Sequence, residues 1–136
     1  MLVAAAGNNG PGENTVNYPA KYNSVIAVGA TDETDNVADW SSRGQELELT
    51  APGVNIYSTY KGSTYGTLSG TSMACPHVTG TVTLILSKNP RLNPSGVRKI
   101  LQNTAVDLGQ SEYDSTYGYG RVNASAAVAA TPSRSP

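Results

Sequence analysis

The segment from Gly70 to Leu86 limits the possible folds of this chain more than any other. It begins Gly-Thr-Ser-Met-Ala-Cys-Pro-His-Val, and the residues that follow are apolar or small on nearly every side of a helix. A helix of this composition packs inside a core rather than on a surface. Pro76 falls within its first turns, where a missing N–H costs least. The sequence therefore predicts a buried helix over residues 71–87, entered through a glycine turn.

Ser72 lies at the point where this loop becomes a helix. Gly70 allows a tight turn and the close approach of a substrate. The free N–H groups at a helix N-terminus favour a developing negative charge. This placement suits a nucleophilic serine, but it also suits a serine that caps a buried helix, which is the commoner case. Both interpretations stay open on these residues alone.

Composition narrows the choice of partners. The chain has 136 residues, enough for one domain with a core, and a net charge of −1, which gives no electrostatic support for binding nucleic acid or an anionic membrane. The single cysteine, Cys75, excludes an internal disulfide and is expected to be buried filler. No apolar run approaches the roughly 20 residues that span a bilayer. The segment Met1–Ala6 has no basic start, so no signal peptide is expected within this sequence.

Strands and helices alternate along the rest of the chain. A buried strand is indicated by a continuous apolar run, and a half-exposed strand by alternation. A second, amphipathic helix is expected from Pro94 to about Thr104 after an Asn93 cap, and a short helix over 124–130 after Asn123. Buried strands are predicted at 2–6 and 24–30, a half-exposed strand at 46–50, short extended pieces at 54–59 and 66–68, and a turn-flanked strand at 117–122. This order predicts an α/β class with a mostly parallel sheet.

The nine residues Gly70–Val78 resemble the nucleophile signature of the subtilisin-like serine proteases, the subtilases, and most of all the bacterial subtilisin and thermitase type. The resemblance extends from Leu2 to about Ala130. Further motifs in the family's order are Ala4–Asn8, Tyr18-Pro19-Ala20, Val25–Ala30, Ser41-Ser42-Arg43-Gly44, Ala51-Pro52-Gly53 and Gly120–Ala124. The resemblance implies a three-layer fold with helices on both faces of the sheet. Residues 1–130 would be the C-terminal part of a catalytic domain whose N-terminal half is absent, and 131–136 a tail or linker start.

The resemblance also assigns roles. Ser72 would be the nucleophile, and Asn8 would donate its side-chain N–H to the oxyanion beside the backbone N–H of Ser72. Taken alone, Asn8 is better explained as a loop residue that bonds its own backbone. Substrate-binding residues implied by the family are Ala4, Ala5, Ala6 and Gly7 in one wall of the primary pocket, Asn17 at its floor, and Gly70 and Thr71 beside the nucleophile.

The general base is missing from this assignment. The one histidine, His77, lies five residues after Ser72 and so about 140° away around the helix, where the two side chains cannot bond. The resemblance matches it to a structural histidine, and we expect a packed residue bonded to a neighbour. Subtilases carry their triad in the order Asp, His, Ser, so both other motifs would precede Met1. We therefore expect the chain to be inactive by itself.

A weak cation site is the only metal site that the resemblance implies here. It would use the backbone carbonyls of Ala20, Tyr22 and Val25 to hold a structural calcium or sodium ion. No cofactor would be needed for the chemistry. The acidic segment 32–36 does not have the spacing of a calcium loop and is interpreted as a solvated turn.

These observations predict a serine endopeptidase that acts on peptides or proteins, with an extracellular, secreted location implied by the resemblance. Two alternatives stay open. One is a truncated, non-catalytic module that binds another chain through an exposed sheet edge. The other is a half-enzyme that works when an N-terminal fragment supplies the aspartate and histidine. Neither nucleic acid nor a membrane is an expected partner.

Overall fold

A parallel sheet with one long helix packed on it forms the centre of the structure, a computed structural model that describes residues 1–133. The elements are β1 Leu2–Ala5, β2 Val25–Thr31, β3 Leu47–Pro52, β4 Ile56–Tyr60, β5 Thr64–Leu68, α1 Thr71–Lys88, α2 Pro94–Thr104 and α3 Ala124–Ala130. The first three strands form the parallel sheet in the order β1-β2-β3, and β4 and β5 form an antiparallel hairpin. The predicted α/β class with a mostly parallel sheet is confirmed.

The two faces of the sheet are covered differently. Strand β2 lies in the middle and is buried along its whole length. One face packs against α1, and α2 and α3 join the same hydrophobic cluster. On the other face, Ala27 and Leu47 pack against Val16 and Ala20, which belong to the loop between β1 and β2. Within residues 1–133 the helices therefore lie on one face, and loop residues cover the other.

Strand β1 is at the edge of the sheet. It pairs with β2 on one side, and no strand among the described residues pairs with its other side. The prediction of a buried strand at this position is wrong, because β1 is half-buried and Leu2 is 63% exposed. Its continuous apolar pattern suits a strand covered on all sides, whereas this one has a neighbour on one side only.

Strand β3 differs from its prediction in the opposite direction. The alternation of Glu46 to Thr50 predicts a half-exposed strand, yet β3 is buried and Glu48 is only 7% exposed. The carboxylate of Glu48 forms an ion pair with Arg98 and accepts a hydrogen bond from Gln102 Nε2 at 3.2 Å. Hydrogen bonding to Glu48 raises the pKa of the Arg98 guanidinium, which stays charged. A buried carboxylate is rare unless it is paired, as here.

Helix α1 is not buried on every side. Its inner side, which includes Ala74, Val78 and Ile85, is buried in the core, while Leu84, about 100° around the helix from Ile85, is 51% exposed. The prediction of a helix buried all round is therefore wrong for the described part of the chain. The exposed side is covered by no other element there, and its Thr83 hydroxyl donates to the carbonyl of Thr79 at 3.0 Å.

The later elements follow the sequence closely, with one exception. Asn93 and Asn123 cap α2 and α3, each accepting a backbone N–H into its side-chain oxygen. The strand predicted at 117–122 is not a regular strand, because it forms only isolated bridges, at Gly118 and Arg121. In the predicted tail, Thr131 is buried and its hydroxyl donates to the carbonyl of Ala127 at 2.7 Å. Residues 134–136 of that tail lie outside the described residues.

Candidate active site

The N-terminus of α1 lies against the loop that follows β1. The backbone N–H of Gly7 donates to Thr71 Oγ1 at 3.1 Å. The side-chain oxygen of Asn8 accepts from the Thr71 N–H at 3.0 Å and from the Thr71 hydroxyl at 2.9 Å. Ligand sites in α/β sheets collect at the carboxyl ends of the strands, and this loop is one of those ends. The structure thus brings together Asn8 and the segment Gly70–Ser72, which are far apart in the sequence.

The orientation of the Asn8 amide follows from its partners. Both Thr71 groups are donors, so the oxygen Oδ1 must face them and the nitrogen Nδ2 must face away. No group among residues 1–133 accepts a hydrogen bond from Nδ2. Asn8 therefore does not bond its own backbone, as a simple loop asparagine would, and it presents two free N–H donors.

Gly70 leaves a small space bordered by Asn8 Nδ2 and by the backbone N–H of Ser72. A Cβ atom built on Gly70 would lie 3.7 Å from Asn8 Nδ2, 3.7 Å from the backbone nitrogen of Ser72 and 3.5 Å from Met73 Sδ. Two N–H donors beside one open space are what an oxyanion requires, since catalysis of acyl transfer depends on donors aimed at the developing charge. A side chain at position 70 would fill this space, and the φ of 156° at Gly70 also favours glycine.

Ser72 is the second residue of α1 and is exposed. The N-cap of the helix is Gly70, and no side chain forms the capping hydrogen bond. The capping interpretation of Ser72 is therefore wrong, because the helix begins before this residue. Its backbone N–H is one of the N-terminal donors that have no intrahelical acceptor. No hydrogen bond involves its hydroxyl within the described residues.

The predicted substrate-binding residues lie next to this site. Asn17 lies beside Gly7, and its Nδ2 donates to Asn9 Oδ1 at 2.6 Å. Ala4, Ala5 and Gly7 are half-buried. Ala6 is completely buried in the cluster with Val16 and Ala20, so its side chain supports the loop from below. A role of these residues in binding a substrate stays a prediction.

A cavity of about 410 Å³ opens beside Ser72, between α1 and the β4–β5 hairpin. Met73 and His77 of α1 line one side, and Tyr60 and Leu68 of the hairpin line the other. The sequence indicated two extended pieces here and did not predict their pairing. The available signal was the run Lys61-Gly62-Ser63 between two stretches rich in threonine and tyrosine, a weaker hairpin signal than Asn-Gly or Asp-Gly.

His77 does not act on Ser72 in this structure. Its Nδ1 lies 2.9 Å from the carbonyl oxygen of Met73, and since a carbonyl only accepts, Nδ1 carries the proton. The predicted bond to a neighbour is thus confirmed, whereas the predicted packing is wrong because His77 is exposed. The chain contains no other histidine. No general base contacts Ser72 within the described residues.

Cys75 lies one helical turn from Ser72 and is half-buried. Burial raises the pKa of its thiol, and the hydrogen bond with Thr79 opposes this shift. The thiol is therefore protonated at neutral pH, and the protonated form is a poor nucleophile. This agrees with its interpretation as packing rather than chemistry.

One carbonyl of the predicted cation site contacts a positive side chain. The carbonyl of Val25 accepts from Arg98 Nη2 at 3.4 Å, and that of Asn23 accepts from Nη1 at 2.7 Å. The carbonyl of Tyr22 accepts the N–H of Val25. Of the three predicted ligands, only the Val25 carbonyl lies next to the guanidinium, whose charge opposes a bound cation. A calcium or sodium ion held by the carbonyls of Ala20, Tyr22 and Val25 stays a prediction.

The acidic segment forms a turn of its own. Asp32 Oδ1 accepts the backbone N–H groups of Asn36 and Thr34, each at 2.9 Å. The bond with the Asn36 N–H is the main cause that lowers the pKa of Asp32. Asp35 forms an ion pair with Arg121. Among residues 1–133 no three histidine, cysteine, aspartate or glutamate side chains are grouped as metal ligands.

Fold and site together define an α/β protein with a serine at a helix N-terminus beside a side-chain amide, the arrangement of hydrolases that form an acyl-enzyme. Residues 1–120 match the sequence profile of the Subtilase family, Peptidase_S8, and the chain belongs to this family of serine proteases. It is 57% identical to Subtilisin DY of Bacillus licheniformis over 130 residues, which cover 94% of this chain and 46% of that protein.

Two further relatives match the chain over a similar length. Identity is 50% over 128 residues both with Subtilisin Savinase of Lederbergia lenta and with an alkaline protease of Shouchella clausii. The match covers 94% of this chain in both cases, but 46% of the first protein and 32% of the second. The chain therefore spans about half of the length of these relatives, or less.

Proposed function

We propose that this chain is the nucleophile-bearing part of a serine endopeptidase. One observation carries the proposal: Asn8 Nδ2 and the Ser72 N–H border the same open space at Gly70. Ser72 Oγ attacks the carbonyl carbon of a peptide bond, and the negative charge that develops on the carbonyl oxygen is held by these two donors. The C–N bond then breaks, and water hydrolyses the resulting acyl-enzyme.

The hydroxyl proton of Ser72 needs an acceptor that later returns it to the leaving amine. His77 is not placed to serve, because it lies about 140° around the helix from Ser72 and no hydrogen bond joins the two side chains. We infer that a histidine and the aspartate that orients it come from residues outside this sequence. In subtilisin, loss of the histidine alone lowers kcat by about 10⁶, so the isolated chain should be inactive.

Labelling with a fluorophosphonate tests this proposal. The chain would be treated alone, and again after mixing with a polypeptide made of the part of Subtilisin DY that this chain does not cover. Stoichiometric labelling of Ser72, with peptide cleavage, is expected only in the mixture, and Ser72→Ala removes both signals. Rapid labelling of the chain alone would refute its inactivity. A folded mixture that neither labels nor cleaves would refute the endopeptidase proposal.

Association without catalysis is the second candidate, and the unpaired edge of β1 favours it. The edge of β1 has no strand partner among the described residues, and the exposed side of α1 is mostly polar or small apart from Pro76 and Leu84. The occupant of these surfaces would be an N-terminal subtilase segment or another polypeptide strand. Sedimentation of the same mixture distinguishes the candidates: complex formation without labelling supports a binding module, and complex formation with labelling supports the half-enzyme.

Peptides or proteins are the proposed substrates, and an extracellular location is proposed from the family resemblance. No helix in the described part of the chain is long and apolar enough to cross a membrane. The net charge of −1 offers no attraction for nucleic acid. A structural calcium or sodium ion would take no part in the reaction proposed here.

A further inference from the structure

The Ser41-Ser42 pair takes no part in the reaction described above, yet both residues are completely buried. The backbone N–H of Ser42 donates to the carbonyl of Gly7 at 2.9 Å. The hydroxyl oxygen of Ser42 accepts the N–H of Asn9 at 3.0 Å. One residue thus binds the peptide group before Asn8 and the peptide group after it. We propose that Ser42 is a positioning residue that aims the oxyanion donor Asn8.

Peptide groups are planar, so the backbone of one residue has only two free torsions. These torsions are fixed when both flanking peptide planes are fixed. Ser42 holds both planes around Asn8, so it fixes the direction in which the Asn8 side chain leaves the backbone. The remaining side-chain rotation is set by the two Thr71 donors that bind Oδ1. Together these contacts direct Nδ2 toward the space at Gly70.

Ser42 is itself anchored to the sheet. The hydroxyl of its neighbour Ser41 accepts the N–H of Ala30, a residue of β2, at 3.0 Å. The carbonyl of Trp40 accepts the N–H of Gly10 at 3.0 Å, which fixes the far end of the same loop. A Cβ built on Gly7 would lie 2.9 Å from Ser42 Oγ, so this close approach requires glycine at position 7. The Asn8 loop is therefore held on a segment fixed to the buried central strand.

Hydrogen exchange can measure this positioning without any catalytic activity. Thr71 is the first residue of α1, so its N–H has no acceptor within the helix. Its protection from exchange therefore reports the bond to Asn8 Oδ1. In Ser42→Ala, the Asn9 N–H loses its acceptor and Asn8 is free to turn. We expect exchange at Asn9 and at Thr71 to become at least about tenfold faster.

Two variants calibrate the measurement. Asn8→Ala removes the acceptor and shows the exchange rate of Thr71 when the bond is completely lost. Ser41→Ala removes a hydroxyl from the neighbouring buried serine, and it should speed exchange at Ala30 while leaving Thr71 unchanged. If Ser42→Ala does not fold, Ser42→Cys keeps the shape of the side chain with a weaker acceptor, and a smaller increase is expected at the same two amides.

The proposal is overturned if Asn9 exchanges faster and Thr71 does not, or if all slowly exchanging amides accelerate together, which would indicate a general loss of stability. The catalytic meaning of Ser42 rests on the proposed endopeptidase function, but the exchange experiment does not. Failure of Ser72 to label in the mixture would therefore refute that function and leave the positioning result intact.

Discussion

Replacing Thr71 with valine tests how the start of α1 holds Asn8. Thr71→Val keeps a branched side chain of similar size and removes one buried hydroxyl. This hydroxyl donates to Asn8 Oδ1 at 2.9 Å and accepts the Gly7 N–H at 3.1 Å. A hydrogen bond contributes about 0.5–1.5 kcal/mol net, so the loss of two lowers the free energy of unfolding by about 1–3 kcal/mol. We expect a loss of about 2 kcal/mol, because Asn8 loses a donor and the Gly7 N–H loses its acceptor in a partly buried place.

Urea unfolding measures the change. With an m-value of about 2 kcal/mol per molar urea, the transition midpoint should fall by about 1 M at unchanged m. Thr83→Val is the matched control, since it makes the same substitution in the same helix where the hydroxyl is exposed and bonds only to the Thr79 carbonyl. Its midpoint should stay within about 0.3 M of the wild type. Equal midpoints for Thr71→Val and the control would refute the reasoning.

Three further predictions concern catalysis, cation binding and acid. In the complemented mixture, Asn8→Ala should lower kcat by about 10²–10³ with little change in KM, as for the equivalent asparagine of subtilisin; an unchanged kcat would exclude Asn8 as the oxyanion donor. Arg98→Met leaves the buried Glu48 without its partner and should lower the free energy of unfolding by about 3 kcal/mol, measured by thermal melting. Added calcium should restore part of this loss and should leave the wild type unchanged; equal responses of the two would contradict the view that the guanidinium at the Val25 carbonyl opposes cation binding. The pKa of Asp32 is lower in the folded state than in the unfolded state, so its charge stabilises the fold above the unfolded pKa of about 3.9. This stabilisation is lost as the pH falls through the folded-state pKa. Urea titrations should therefore show Asp32→Asn less stable than wild type at pH 7 and equal to it near pH 2; a constant difference would refute this.

The sequence predicts helices and strands correctly where the signal lies in neighbouring residues. The continuous apolar run of β2 predicted a buried strand, and the Asn93 and Asn123 caps predicted the beginnings of α2 and α3. Strand β3 was mispredicted because the partner that makes Glu48 tolerable inside the protein, Arg98, lies 50 residues further on. Periodicity reports the polarity of a side chain and not the partner that it finds.

The same limit applies to the candidate site. The family resemblance predicts roles for Ser72 and Asn8, and the structure brings Asn8 to the beginning of the helix that carries Ser72. The contacts around Asn8 could not be predicted from the sequence. Thr71 lies 63 residues after Asn8, and Ser42 lies 33 residues after Asn9, in another loop. Neither residue belongs to a local pattern around Asn8, so their roles appear only when the chain is folded.

The position of β1 at the edge of the sheet has a consequence for the timing of the site. Local opening of a structure begins where fewest contacts must be broken, and β1 pairs with one neighbouring strand whereas β2 pairs with two. Opening of β1 would pull on the Asn8 loop, which Thr71 and Ser42 hold from the other side, while Ser72 remains on helix α1. The proposed oxyanion donor would thus be in place for only as long as this edge strand stays closed. A polypeptide that pairs with the free edge of β1 would lengthen that time, and so strengthen the site, without contacting either residue.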